Sequence, residues 1–82
     1  MQPAQRTGRH CHPGGVIGYV VEGEITLQID GQSATTLRAG SVFHEPSGVT
    51  IARFDNASNT ETAVFIAFYP LADDQPLISM LD

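Results

Sequence analysis

Cysteine is almost missing from this 82-residue chain. Cys11 stands alone, so no internal disulfide can staple the fold, and stability has to come from packing or from a partner chain. Charge is scarce as well: Asp, Glu, Lys and Arg make up 16% of the residues against roughly 25% in an average soluble domain, which leaves Thr, Ser, Gln and Asn to cover much of the surface. Four Lys plus Arg against nine Asp plus Glu give a net charge of −5, which argues against nucleic acid and anionic membranes as partners. The longest uninterrupted apolar run, residues 63–69, is far shorter than the roughly 20 residues of a membrane-spanning helix, so no such helix is expected. The start, Met1-Gln2-Pro3-Ala4-Gln5-Arg6, lacks the apolar run of a secretory signal, and a cytoplasmic location is the expectation. There is no phosphate-cradling Gly loop, no nucleophile elbow, no Cys-rich zinc site and no Cys-His-Asn order, so Cys11 is read as structural.

What is present is an apolar fraction of 41% and a regular beat of turn signals. Gly14-Gly15, Glu22-Gly23-Glu24, Asp30-Gly31, Ala39-Gly40, Pro46-Ser47-Gly48 and residues 56–59 leave no room for a helix of ordinary length. The spacing predicts an all-β fold in one domain covering 1–82. Residues 16–22 read as a strand apolar on both faces; residues 24–30 alternate, with Ile25, Leu27 and Ile29 inward, and the two are expected to form a hairpin. Further strands are expected over 32–37 after the Asp30-Gly31 turn, over 41–45 up to Pro46, over 49–55 and over 61–69. Phe43, Phe54, Phe65, Ile66 and Phe68 are core candidates. Beyond Pro70, Asp73-Asp74 and Pro76 precede Leu77, Ile78, Met80 and Leu81, which read as an apolar arm (70–82) packing onto another subunit. Few strands leave open edges, and a homodimer is expected.

His10-Cys11-His12 places two imidazoles on the same face of a strand, within reach of one metal ion. By itself that pair is a weak signal, and two solvated or hydrogen-bonded histidines are the plainer reading. Its context is more specific. The run His10-Cys11-His12-Pro13-Gly14-Gly15-Val16-Ile17-Gly18-Tyr19-Val20-Val21-Glu22-Gly23-Glu24 resembles the first cupin motif, H-x-H, three or four residues, Glu, six residues, Gly. Gly40-Ser41-Val42-Phe43-His44-Glu45-Pro46-Ser47-Gly48 resembles the second, which opens G, five residues, P-x-G and continues to His and Asn. The resemblance covers about residues 8–70, with motif one near 10–23 and motif two near 40–56. It implies a short double-stranded β-helix, or jelly-roll, barrel that holds a divalent metal or a small organic ligand inside. It also implies one or two strands ahead of the H-x-H pair, where only nine residues precede His10, so a partner subunit would close that edge or the chain would start late.

Cupins of this pattern usually ligate metal through both histidines and the Glu of motif one and the His of motif two. At those last two positions stand Val16 and Ile51, which ligate nothing, and Asn56 falls one place beyond the expected Asn. A replacement is available. Glu45 shares a face with Phe43, so if Phe43 points inward Glu45 follows it. With His10 and His12 it makes a two-histidine, one-carboxylate set suited to Fe(II), Mn, Ni or Zn, with positions left for substrate. In the competing reading Glu45 sits at the barrel mouth and accepts from the Ser47 or Gly48 backbone. A register shifted by one residue would make His44 the substitute ligand. Tyr19, Phe43, Ile51 and Arg53 are the expected pocket lining. Tyr19, on a strand apolar on both faces, reads more readily as core, and Arg53 reads more readily as a surface pair of Asp55 or Glu61 than as a partner of a substrate carboxylate. Two functions follow: a metal-dependent cupin binding a small molecule, acting on it by oxygenation or isomerisation, or a non-catalytic binding or sensor module with a degenerate site.

Overall fold

Strands that bury one face show an in-out alternation of side chains, and that pattern is visible in nearly every element here. The computed structural model describes residues 1–70 and 78–80. The described residues form β1 (Arg6–Thr7), β2 (His10–Cys11), β3 (Val16–Glu22), β4 (Glu24–Ile29), β5 (Thr35–Arg38), β6 (Val42–Glu45), β7 (Ile51–Asn56), β8 (Val64–Phe68) and β9 (Ser79–Met80). They hold no helix long and apolar enough to cross a membrane.

Two antiparallel sheets result. The larger runs β5-β4-β7-β2-β9, with β1 also paired to β7; the smaller runs β6-β3-β8. Between them lies the core of Val16, Val20, Ile25, Leu27, Leu37, Phe43, Ile51, Phe54 and Ala63. Burial of each large apolar side chain there contributes about 1.5–3 kcal/mol. Asn56 ties down the chain start: its Nδ2 donates to the carbonyls of Gln2 (3.0 Å) and Glu61 (2.7 Å). One short strand, β1, thus precedes the His10 strand.

The expected hairpin between 16–22 and 24–30 does not form. β3 pairs with β6 and β8, whereas β4 pairs with β5 and β7, so the chain crosses from one sheet to the other at Gly23. Gly23 has a φ of 84°, and a Cβ there would lie 2.8 Å from the Thr62 carbonyl oxygen, so the crossing demands glycine. The reversal at Asp30-Gly31 does form, β5 returning along β4.

The run 61–69 carries no polar alternation, and its inward phase differs from the expectation. Phe65, Ala67 and Tyr69 pack against the core, while Ile66 and Phe68 are exposed on the outer face. Of the apolar tail, Ser79–Met80 pairs with this chain's own β2, and so does not extend away as an arm. Asp73, Asp74, Pro76, Leu77 and Leu81 lie outside the described residues.

Candidate metal centre

The geometry at one end of the two sheets starts with hydrogen bonds that join two loops. The His12 carbonyl accepts from the Gly15 amide at 2.8 Å, closing the Pro13-Gly14-Gly15 turn, and from the Gly48 amide at 3.1 Å. Ser47 Oγ donates to the Pro13 carbonyl. Gly15 adopts φ 79°, and a Cβ there would sit 3.0 Å from the Glu45 carbonyl oxygen, so glycine is what lets the turn approach β6 this closely. These contacts press the segment after β2 against the end of β6.

Phase then decides which side chains enter. In β6, Phe43 and Glu45 point between the sheets, and Val42 and His44 point out. Phe43 crosses directly over Gly18, its Cα partner on β3; a Cβ on Gly18 would fall 2.1 Å from the ring. Glu45 lies opposite Val16 in the same ladder. The outcome is a buried cluster of His10, His12 and Glu45, whose potential ligand atoms all lie within 4.8 Å of one another.

The protonation of the cluster follows from its bonds. His10 Nδ1 lies 2.7 Å from the Gly8 carbonyl oxygen, which can only accept, so Nδ1 carries the hydrogen and Nε2 is left facing the cluster. That Nε2 is 3.4 Å from Glu45 Oε1, and the His12 Nε2 is 3.9 Å from the same oxygen. Glu45 is only 3% exposed, and its Oε1 has no hydrogen-bond partner among the described residues. Whether the 3.4 Å contact bonds depends on a proton: with Nε2 neutral, two lone pairs face each other, and with Nε2 protonated an ion pair forms. Burial alone would lower the His10 pKa, but Glu45 and the Gly8 carbonyl outweigh it and raise the pKa above its ordinary value. A buried carboxylate oxygen converging with imidazole nitrogen is costly without a cation between them. Two imidazoles and one carboxylate also form a donor set that divalent transition metals accept, and a ligand imidazole anchored through its other nitrogen to a carbonyl is the usual arrangement. These residues therefore fit such an ion.

A cavity of about 170 Å³ opens beside the cluster, walled mainly by Val16, Phe43, Phe54, Phe65, Ala67 and Tyr69. Tyr69 was not among the expected lining residues. Its ring lies 5.3 Å from that of His12, and burial, followed by the charge of Glu45, raises its pKa. Phe43 lines the cavity as expected; the other three lining candidates do not. Tyr19 is on the outer face of β3 and exposed, because Gly18 and Val20 take the inward phase. Arg53 is on the outer face of β7, its Nε donating to Asp55 Oδ2 at 3.0 Å. Ile51 is fully buried beside His10, its Cα partner, within the core and not in the cavity wall. His44 is exposed on the opposite face from Glu45, since the register is not shifted. The structure does not place Glu45 at an open mouth: it is 3% exposed, its Oε1 accepts no hydrogen bond from the described residues, and the Gly48 amide donates to the His12 carbonyl.

Comparison with known proteins agrees with this architecture. A cupin-like protein from Thermotoga maritima is 31% identical over 98% of this chain and 58% of its own, with a TM-score of 0.83. An oxalate oxidase in complex with glycolate is 26% identical over 98% of this chain and 42% of its own, with a TM-score of 0.75. A Klebsiella pneumoniae protein with a double-stranded β-helix domain shares the fold at 20% identity and a TM-score of 0.73, over 99% of this chain and 68% of its own. The chain thus spans little more than half the length of the first of these and less than half of the second. No curated protein sequence matches it significantly. The cupin domain family matches residues 1–69, and with two facing antiparallel sheets and both motifs in order, the chain belongs to the cupin family.

Proposed function

We propose that this cupin binds one divalent transition metal ion through His10, His12 and Glu45, together with a small organic ligand held in the adjoining cavity. The observation that carries the reading is the convergence of three buried donors on one point, one of them a carboxylate oxygen without a hydrogen-bond partner among the described residues. When bound, such an ion supplies Lewis acidity to an oxygen of the ligand. The rest falls to the chain. The Gly8 carbonyl fixes the His10 ring and its tautomer. Phe43, Phe54 and Phe65 keep the wall of the cavity dry, and Tyr69 offers a hydroxyl to the ligand beside His12.

Size narrows the ligand. A cavity of about 170 Å³ is well below the roughly 300–1,000 Å³ of pockets that take drug-sized molecules, so it suits a metabolite of a few heavy atoms. Small oxygen-rich acids fit both that limit and a metal-bound mode, and the similar oxalate oxidase was solved in complex with one such acid, glycolate. A second reading, a binding or sensor module without turnover, is favoured by Val16 and Ile51, which replace two family ligands with hydrocarbon. Metal analysis of untagged protein, purified without added metal, tests the metal claim. Near-stoichiometric transition metal supports it, and background levels across preparations refute it. Incubating the loaded protein with oxalate and oxygen, with glycolate as the substrate-analogue control for binding, then separates turnover from binding alone.

A further inference from the structure

The two sheets differ sharply on their outer faces. That of the larger sheet is polar, with Thr26, Gln28 and Thr36 beside the Arg53–Asp55 pair. That of β6-β3-β8 is apolar. Cross-strand register sets its side chains in rows: His44, Ile17 and Phe68 in one, and Val42, Tyr19 and Ile66 in the next, with Val21 and Val64 extending it. Phe68 is 67% exposed and Val42 70%, and the other apolar members are 40% exposed or more.

We infer that this face is the contact surface for a second copy of the same chain, the two smaller sheets stacking face to face about a twofold axis. The area fits: scaled by their exposures, the apolar side chains offer on the order of 700 Å² per copy, close to the ~800 Å² per partner of a standard interface. Charge fits as well. A chain of net charge −5 repels its own copy over most of its surface, but among the described residues this face holds no carboxylate, lysine or arginine apart from Glu22 at its margin, with His44 and the Tyr19 phenol the titratable groups inside. The described arginines all belong to or adjoin the larger sheet, and the Met1 ammonium is engaged by the Ala63 carbonyl, so no cationic side chains flank the face as an anionic lipid surface would require. An isologous pairing lets Tyr19 and Ile66, near the centre, meet their own counterparts. The inference is independent of the metal reading.

Sedimentation velocity over a dilution series tests it, with the expected species having twice the chain mass. Tyr19→Glu combined with Ile66→Glu should raise the dissociation constant on the order of a hundredfold, and Thr36→Glu, on the other outer face, should leave it unchanged. Hydroxyl-radical footprinting of the unaltered chain reads the same surface even if the double variant fails to fold. Tyr19 and Phe68 should be protected at concentrations that give the dimer and labelled on dilution. A monomer at every concentration, a dimer in which both residues stay labelled, or a monomer that floats with neutral lipid vesicles would each overturn the inference.

Discussion

Val16 and Glu45 face one another across the β3–β6 ladder, both pointing inward and both buried. The first cupin motif carries its carboxylate at position 16; in this chain the carboxylate stands on the neighbouring strand, one Cα partner away. A carboxylate can therefore reach the two histidines with an apolar residue at the usual Glu position, because two side chains of a cross-strand pair reach the same space.

Exchange across the ladder should be tolerated. Glu45→Val should lower metal affinity by at least about a hundredfold, and adding Val16→Glu should recover a substantial part of it. Calorimetric titration of chelator-stripped protein with Zn(II) or Mn(II) measures both. If the double variant binds no better than Glu45→Val, the ladder does not place the two carboxylates equivalently.

Metal-free protein should gain stability when the carboxylate is removed. Among the described residues Oε1 of Glu45 has no hydrogen-bond partner, so above the raised His10 pKa, where no imidazolium faces it, Glu45→Gln or Glu45→Leu should stabilise the stripped protein by about 1–3 kcal/mol while abolishing tight metal binding. Urea unfolding in the presence of chelator reads the effect; destabilisation at a pH above that pKa would contradict it.

The same cluster predicts a pH dependence with a definite sign. The His10 pKa is higher in the fold than its ordinary value of 6.5, so its contribution to stability is fully present below that value and is lost as the pH rises through the raised one. Metal affinity runs the other way, increasing over the same window as the proton leaves Nε2. Thermal unfolding against pH, with and without Zn(II), should show a fall in the stripped protein that loading removes. His10→Asn should flatten the curve, and an unchanged slope in that variant would assign the effect elsewhere.

Much of the candidate site is legible in the sequence. The one-residue spacing of His10 and His12 puts them on a common face, and the period of two ties Glu45 to Phe43, whose bulk points it inward. Other features were hidden for physical reasons. Gly23 reads as a hairpin turn, but glycine at positive φ serves equally to cross between sheets, and only the packing of Thr62 and Ala63 against it decides. The run 63–69 is apolar at every position, so nothing in it says which residues face in; that concealed both the cavity role of Tyr69 and the exposure of Ile66 and Phe68. Tyr19 was misplaced for the same reason, since β3 is apolar on both faces.

Gly18 should be among the least replaceable residues. Gly18→Ala would drive a methyl into the Phe43 ring, costing about 1–3 kcal/mol or more, and Phe43→Leu in the same chain should restore part of the loss. Denaturant midpoints of the single and double variants measure the coupling; strict additivity would show that the ring moves aside without strain.

The most direct test of the metal centre is an anomalous difference map from crystals of the chain loaded with Zn(II) or Mn(II). The account predicts one strong peak about 2.0–2.3 Å from Nε2 of His10, Nε2 of His12 and a carboxylate oxygen of Glu45. A peak bound by other residues, or no peak there at saturating metal, would contradict it.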